Sequence, residues 1–362
     1  MHRHGYHEQE MTPSGGYTLI EMLVAMAIST VLLAGTVQLF VANRKAFKLV
    51  DQLKLVEENS RIGMDLLARD VRGASTGEGG RPIYIWDNDD ANNDPAQTEG
   101  SIDRSALDVL PGTDVLEVFV SQCSEPFIIT DFNENSASAP QLPMDLVASC
   151  LPCYNSGDGG GVLSACASQF NIRLNKIGSS YSCQHNITSG NEQGGNRINL
   201  TWNNGQNIDN ANRPHECNDG IGGPPTWDAE AMIGIDVYYY VRADDPDNPN
   251  SLTPIPQLMR YQVGLSPEVV ANYVEDFQAL AGEDSATPFD GTIDTWASGI
   301  TDGTDVTAVK LSLMFKTPNI DPAKTGALPT QLENSGIAGI GTQDKYRRRI
   351  ITRVVRLRNM SN

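Results

Sequence analysis

From Met22 to Ala42 the chain runs twenty-one residues without a formal charge. As a helix rising 1.5 Å per residue, that run spans roughly 31 Å, about the hydrocarbon core of a bilayer. It follows Gly15-Gly16 and Tyr17-Thr18-Leu19-Ile20-Glu21, so one carboxylate sits just inside the apolar start. A charge at mid-bilayer costs on the order of 2.5–3.5 kcal/mol on insertion scales, so Glu21 is expected to be functional and to have a partner. A cleaved secretory signal has a shorter apolar region, about 7–15 residues, and a small-x-small cut site after it. Here the run is longer and the glycines precede it. An ordinary signal anchor, with Glu21 snorkelling to the headgroups, is the other reading.

Gly16, Thr18-Leu19-Ile20-Glu21 and the tail Met22–Ile28 resemble the class III signal of type IV pilins and pseudopilins. That resemblance implies that a prepilin peptidase cuts between Gly16 and Tyr17. It also implies N-methylation at Tyr17, which stands where these signals usually carry Phe. Glu21 is then the fifth residue of the mature chain. In a filament of stacked apolar helices, an α-amino group and a carboxylate of neighbouring subunits neutralise each other where water cannot reach. Residues 1–16 are read as a leader, outside the fold.

Beyond the apolar run, Leu49, Val50, Leu53 and Val56 recur at helical spacing, as do Met64, Leu67 and Val71, with charges between them. No proline interrupts Tyr17–Gly73. One long helix is predicted, with a transmembrane half at 17–42 and an amphipathic, periplasmic half at 43–73. Gly73 is a plausible C-cap. The amphipathic half needs a sheet to cover its stripe.

After Gly73 the period shortens to that of strands. Candidates are Ile83–Trp86, Asp114–Val120, Phe170–Leu174 and Arg197–Trp202. Others are the alternating Ile233, Ile235, Val237 and Tyr239, then Leu258–Val263, Val274–Phe277, Val309–Phe315 and Arg349–Arg358. The expected fold class is α+β: a long N-terminal helix on an antiparallel sheet head at 74–362. The cysteine- and glycine-rich stretch 121–225 reads as an insertion, because its own apolar content is thin.

The back half resembles the PilW family of minor pilins, through Arg61–Arg72, Tyr273–Gln278, Val306–Phe315 and the basic run Arg347–Asn359. This resemblance implies a minor subunit that helps prime pilus assembly and sits near the tip. Its implied partners are other minor and major pilins, prepilin peptidase, the pilus assembly platform, the inner membrane and a PilY-type tip adhesin. A J-type pseudopilin of type II secretion would carry the same signal. A membrane-anchored binding or adhesion module is the alternative from another class.

Six cysteines, Cys123, Cys150, Cys153, Cys166, Cys183 and Cys217, lie outside the membrane segment. An even set in an exported head predicts three disulfides in an oxidising compartment, with fifteen possible pairings. They favour an outside location for the head, although Arg44, Lys45 and Lys48 after the apolar run would by charge alone put that side in the cytoplasm. Cys150-Leu151-Pro152-Cys153 has redox spacing, and Cys166, Cys183 and His185 would be needed to complete a metal set. Its Pro- and Gly-rich setting favours structural disulfides instead. Asp87–Asp94 departs from the calcium-loop pattern at Ala91 and Asn92, and reads as a solvated acidic loop. No metal or cofactor is expected.

The net charge of −19 makes nucleic acid an improbable partner. Lys345–Arg358 nevertheless holds seven basic residues and no acid. It would either dock an acidic neighbour or DNA, or pair with acids of its own head, the reading preferred here. No nucleophile elbow, phosphate loop, HExxH or kinase signature is present, so an enzyme is not expected.

Overall fold

A computed structural model describes residues 16–74, 83–86, 98–99, 102–103, 109–110, 112–123, 126–132, 142–143, 147, 150, 170–177, 182–193, 197–202, 227–242, 255–262, 265–286, 290–298, 305–321, 332 and 345–357. The chain divides into two units, Met1–Leu53 and Lys54–Asn362. Helix α1, Leu19–Gly73, supplies the described residues of the first from Leu19 onward and opens the second. The acidic loop at 87–94 lies outside the described residues.

In the first unit, α1 carries no charge over 22–42, and its large side chains there are exposed, among them Leu23, Val31, Leu32, Leu39 and Phe40. A helix with no charged face belongs in a medium other than water. It is long and apolar enough to cross a membrane.

The second unit begins with the last five turns of α1. Val56, Ser60, Gly63, Met64, Leu67, Ala68, Asp70 and Val71 are buried there, one stripe at helical spacing. Gly63 lets the helix approach closely: a Cβ there would stand 3.3 Å from the Ala271 Cβ.

The strands run in chain order as β1 (Ile83–Trp86), β2 (Thr98–Glu99), β3 (Ile102–Asp103), β4 (Val115–Ser121), β5 (Phe127–Phe132), β6 (Leu142–Pro143), β7 (Asn171–Lys176) and β8 (Ser182–Gln193). There follow β9 (Arg197–Trp202), β10 (Trp227–Arg242), β11 (Gln257–Gln262), β12 (Glu268–Asn272), β13 (Val274–Asp284), β14 (Thr295–Ala297), β15 (Asp305–Lys316) and β16 (Arg348–Arg356). The larger sheet is centred on β10, in the order β1-β4-β10-β7-β8-β9-β6, with β5 and β11 also on β10 and β12 beyond β11. The second sheet runs β14-β13-β15-β16, and β2 pairs only β3. All these pairings are antiparallel.

One core joins the helix stripe to both sheets. Ile233, Val237 and Tyr239 of β10, Leu116 and Val118 of β4, and Val309, Leu311 and Leu313 of β15 lie within it. The chain passes from the larger sheet to the second at Tyr273, whose φ of 65° makes the break between β12 and β13. A non-glycine in the left-handed region holds only where its surroundings enforce it. The Tyr273 carbonyl accepts from Lys316 N at 2.9 Å, and Val274 N donates to the Pro256 carbonyl at 3.1 Å.

Both faces of β10 are buried. Its second face carries Asp236, Tyr238 and Tyr240, beside Glu117 of β4 and Arg173 of β7. The Arg173 guanidinium lies 4.4 Å from the centre of the Phe119 ring. Burial pushes its pKa down to about 10, against the opposing pull of Asp236 and Glu117.

Gly234 is where β4 and β10 come closest. A Cβ there would stand 2.6 Å from the Val120 carbonyl oxygen and 2.6 Å from the Phe119 ring edge. The main-chain neighbour cannot turn aside, so Gly234→Ala is expected to destabilise the head by about 3 kcal/mol through overpacking. Denaturant unfolding of the detergent-solubilised chain measures this, and an unchanged midpoint would contradict the close approach.

Candidate functional site

The start of α1 is closed by its own side chains. Thr18 N and Thr18 Oγ1 each donate to Glu21 Oε2 at 2.9 Å, and Glu21 N donates back to Thr18 Oγ1 at 3.3 Å. This reciprocal arrangement is a capping box, which satisfies backbone donors that no helix turn can reach. It explains why the helix begins at Leu19 rather than at Tyr17: Thr18 is the N-cap. The Thr-x-x-Glu spacing was in the sequence, although Glu21 there suggested a partner on another chain or snorkelling to the headgroups rather than a cap.

Gly16 and Tyr17 precede the cap in extended chain, and both are exposed, Tyr17 at 86%. No atom lies within 4 Å of a Cβ built on Gly16, so the bond between them is open on the Gly16 side. An exposed bond next to a capped helix start is sterically open to a protease. Replacing the cap by an isostere, Thr18→Val, is expected to cost about 1 kcal/mol at the helix start. Amide exchange over Leu19–Met22 would then rise about fivefold; unchanged exchange would contradict the cap.

Cys123 and Cys150 are joined in a disulfide, with Cys123 just beyond the end of β4. Cys150 is therefore bonded across 27 residues and not to Cys153, which removes the redox pair. Of the others, Cys183 is described through its main chain only, opposite Leu174 of β7, as is His185, opposite Ile172. Cys153, Cys166 and Cys217 lie outside the described residues. No group of three His, Cys, Asp or Glu able to hold a metal ion occurs among the described residues.

The basic terminal run is spent largely within the head. Arg347 pairs with Asp321 at 2.7 Å, Arg348 with Glu275, Arg349 with Glu57, and Arg353 with Asp65 at 2.7 Å. The last two fasten β16 to α1. This is the arrangement preferred from the sequence, over a patch left open for DNA.

Deeper in, Asp70 anchors the helix end. Its Oδ2 accepts from Tyr239 Oη at 2.6 Å and from Arg260 Nε at 3.0 Å, while Arg69 Nη2 donates to Oδ1 at 3.1 Å. Burial, then the adjacent Asp70 carboxylate, holds the Tyr239 phenol protonated well above its ordinary value. Sequence reasoning missed this group, because its members are 169 and 190 residues apart.

Residues 11–37 match the prokaryotic N-terminal methylation motif, and residues 238–359 match the family described as Type IV Pilus-assembly protein W, PilW. The type IV-like pilin TTHA1219 from Thermus thermophilus is similar over 36% of this chain and 68% of its own, at 16% identity and a TM-score of 0.20. A superposition that loose carries no weight for the fold. No curated protein matches.

A methylation motif leading into a long, exposed apolar helix, with an antiparallel β head in the same chain, is an arrangement similar to that of type IV pilin-like proteins. The chain is similar to the PilW family over residues 238–359, and its methylation motif leads into a helix long and apolar enough to cross a membrane.

Proposed function

We propose that the chain is a minor pilin subunit of a type IV pilus, a structural protein rather than an enzyme. The leader 1–16 is removed by prepilin peptidase between Gly16 and Tyr17, and Tyr17 is N-methylated. The mature subunit is held in the inner membrane by 17–42, with the head in the periplasm, and then moves into the filament. There it helps prime assembly near the tip, beside other minor and major pilins and a PilY-type adhesin, with the assembly platform driving the transfer.

The observation that carries this reading is the helix start: a capped Glu21 one turn from Tyr17, leading into an apolar stretch exposed on all sides. Once the leader is gone, the Tyr17 amine becomes the nearest new cation. It can meet the Glu21 carboxylate of an adjacent subunit inside the apolar filament core, which sets axial register. In the head, Cys153, Cys166, Cys183 and Cys217 complete two further disulfides, so that the 121–225 stretch is stapled in place.

Pull-down of the tagged mature protein, with partners identified by mass, tests this. Recovery of other pilins and the assembly platform is expected. Recovery of type II secretion subunits instead would make it a J-type pseudopilin, and recovery of no pilin-type partner would overturn the reading.

A further inference from the structure

The second sheet ends on a strand with one open side. β16 pairs with β15 in unbroken register from Ala308 opposite Arg356 to Lys316 opposite Arg348. Just beyond the two ends, Leu357 N donates to the Thr307 carbonyl at 3.0 Å, and the Arg347 carbonyl accepts from Thr317 N at 2.8 Å. Hydrogen-bonded pairs in an antiparallel ladder recur every second residue. Arg349, Ile351, Arg353 and Val355 therefore turn their main-chain groups to β15. Ile350, Thr352, Val354 and Arg356 turn theirs the other way, where among the described residues no strand follows. The side chains of Thr352, Val354 and Arg356, which share one face of the sheet, are exposed.

Such an edge is a template for another extended chain. Its side chains select which one. Over Arg348–Arg356 there are four arginines and no acid, on a chain of net charge −19. Arg349 and Arg353 reach across to Glu57 and Asp65, yet 46% and 37% of their side chains stay exposed. A guanidinium has five donors, so each keeps some for a second carboxylate. On the opposite face Val354 is exposed at 49%, beside Ile350, which packs on Met314 and Leu332, and Thr352, whose hydroxyl is 3.1 Å from that of Ser312.

A second copy of β16 does not fit. The antiparallel registers that overlap most of the strand set Arg349 against Arg353, or Arg348 against Arg356, and like charges directly opposite are destabilising. The same charges that reject a copy favour an acidic strand.

We propose that the outer edge of β16 accepts an extended segment of a partner protein by strand addition. In that segment acidic residues alternate with apolar ones, the acidic row lying beside Arg349 and Arg353 and the apolar row beside Ile350, Thr352 and Val354. The inference stands on the strand's register and charge, and does not depend on which secretion or pilus system the chain serves.

The test uses the full chain in detergent and a labelled synthetic peptide of about ten residues alternating Glu and Val. Binding is expected by fluorescence anisotropy, and a Lys-Val peptide of the same length should bind at least about tenfold more weakly. Bound Glu-Val peptide should slow amide exchange about tenfold at Ile350, Thr352 and Val354, while Ile351 and Val355, already bonded to β15, stay unchanged. Thr352→Pro removes an outward N–H without touching the β15 ladder, and should weaken binding about tenfold. Exchange on the unaltered chain gives the answer independently if that variant misfolds. No binding, equal binding of the Lys-Val peptide, or protection that misses the alternate amides of β16 would overturn the proposal.

Discussion

Glu21→Ala is expected to be cut between Gly16 and Tyr17 and to stay in the membrane, yet to vanish from sheared surface fibres. Cleavage depends on the leader and on the exposed bond before the helix, both of which the substitution leaves in place. Membrane retention depends on the uncharged run Met22–Ala42, which the substitution at Glu21 leaves unchanged. What is lost is the one carboxylate able to neutralise a neighbour's Tyr17 amine in the filament core. An unpaired ammonium in an apolar core costs several kcal/mol, so incorporation should fall at least about a hundredfold. Losing the capping box alone would cost only about 1 kcal/mol. Comparison with Thr18→Val therefore separates the two effects: that variant breaks the cap and keeps the carboxylate. Normal incorporation of Glu21→Ala would remove the pairing from the account.

Asp70→Ala should be among the most damaging single changes in the head. The carboxylate is nearly buried, with a side-chain exposure of 6%, and it ties the helix end to β10 through Tyr239 and to β11 through Arg260. Its removal leaves the Arg260 guanidinium, 18% exposed, and the Tyr239 hydroxyl without their acceptor. Breaking a buried pair from one side costs about 3 kcal/mol, roughly a hundredfold in the folding equilibrium. Denaturant unfolding of the full chain measures it, and a loss below about 1 kcal/mol would mean that water replaces the carboxylate. Tyr239→Phe should lose about 1.5–3 kcal/mol, the worth of a hydrogen bond to a charged group. The pH dependence has a definite sign. The fold raises the phenol's pKa above its ordinary 10.0, so this stabilisation is complete below pH 10.0 and fades as pH rises toward the folded value. Tyr239→Phe should lack that alkaline loss.

The parts of the fold that repeat along the chain were legible in the sequence. The spacing of Val56, Met64, Leu67 and Val71 marked the helix face that the sheets cover, whereas Val50 and Leu53 of the same expected stripe are exposed. The alternation through Ile233, Ile235, Val237 and Tyr239 marked the central strand, and Ile83–Trp86 and Arg197–Trp202 carry strands at the residues predicted. The helix start was expected at Tyr17, two residues early, because the Thr18-x-x-Glu21 capping spacing was not used.

The rest depends on residues far apart in the chain. Composition made the cysteine-bearing stretch look thin in core. Yet Ile172 and Leu174 of β7 are fully buried, because β7 lies directly against β10 rather than in a core of its own. Local apolar content does not register burial that another segment supplies. Fifteen pairings were open to six cysteines, and only the approach of Cys150 to the end of β4 selects Cys123. The arginines of β16 were expected to pair with acids of their own head, but which acids became visible only when register placed Arg349 and Arg353 over Glu57 and Asp65. Asp70 looked like one more surface acid among the charges of the amphipathic helix, because its partners come from β10 and β11.

The central claim is that a leader is removed to free an amine beside a helix built for stacking. The direct measurement is the intact mass, with amino-terminal sequencing, of the protein recovered from sheared surface fibres. The account predicts a chain that begins at N-methylated Tyr17 and lacks residues 1–16. A chain still carrying Met1, or one absent from every fibre preparation while abundant in the membrane, would contradict it.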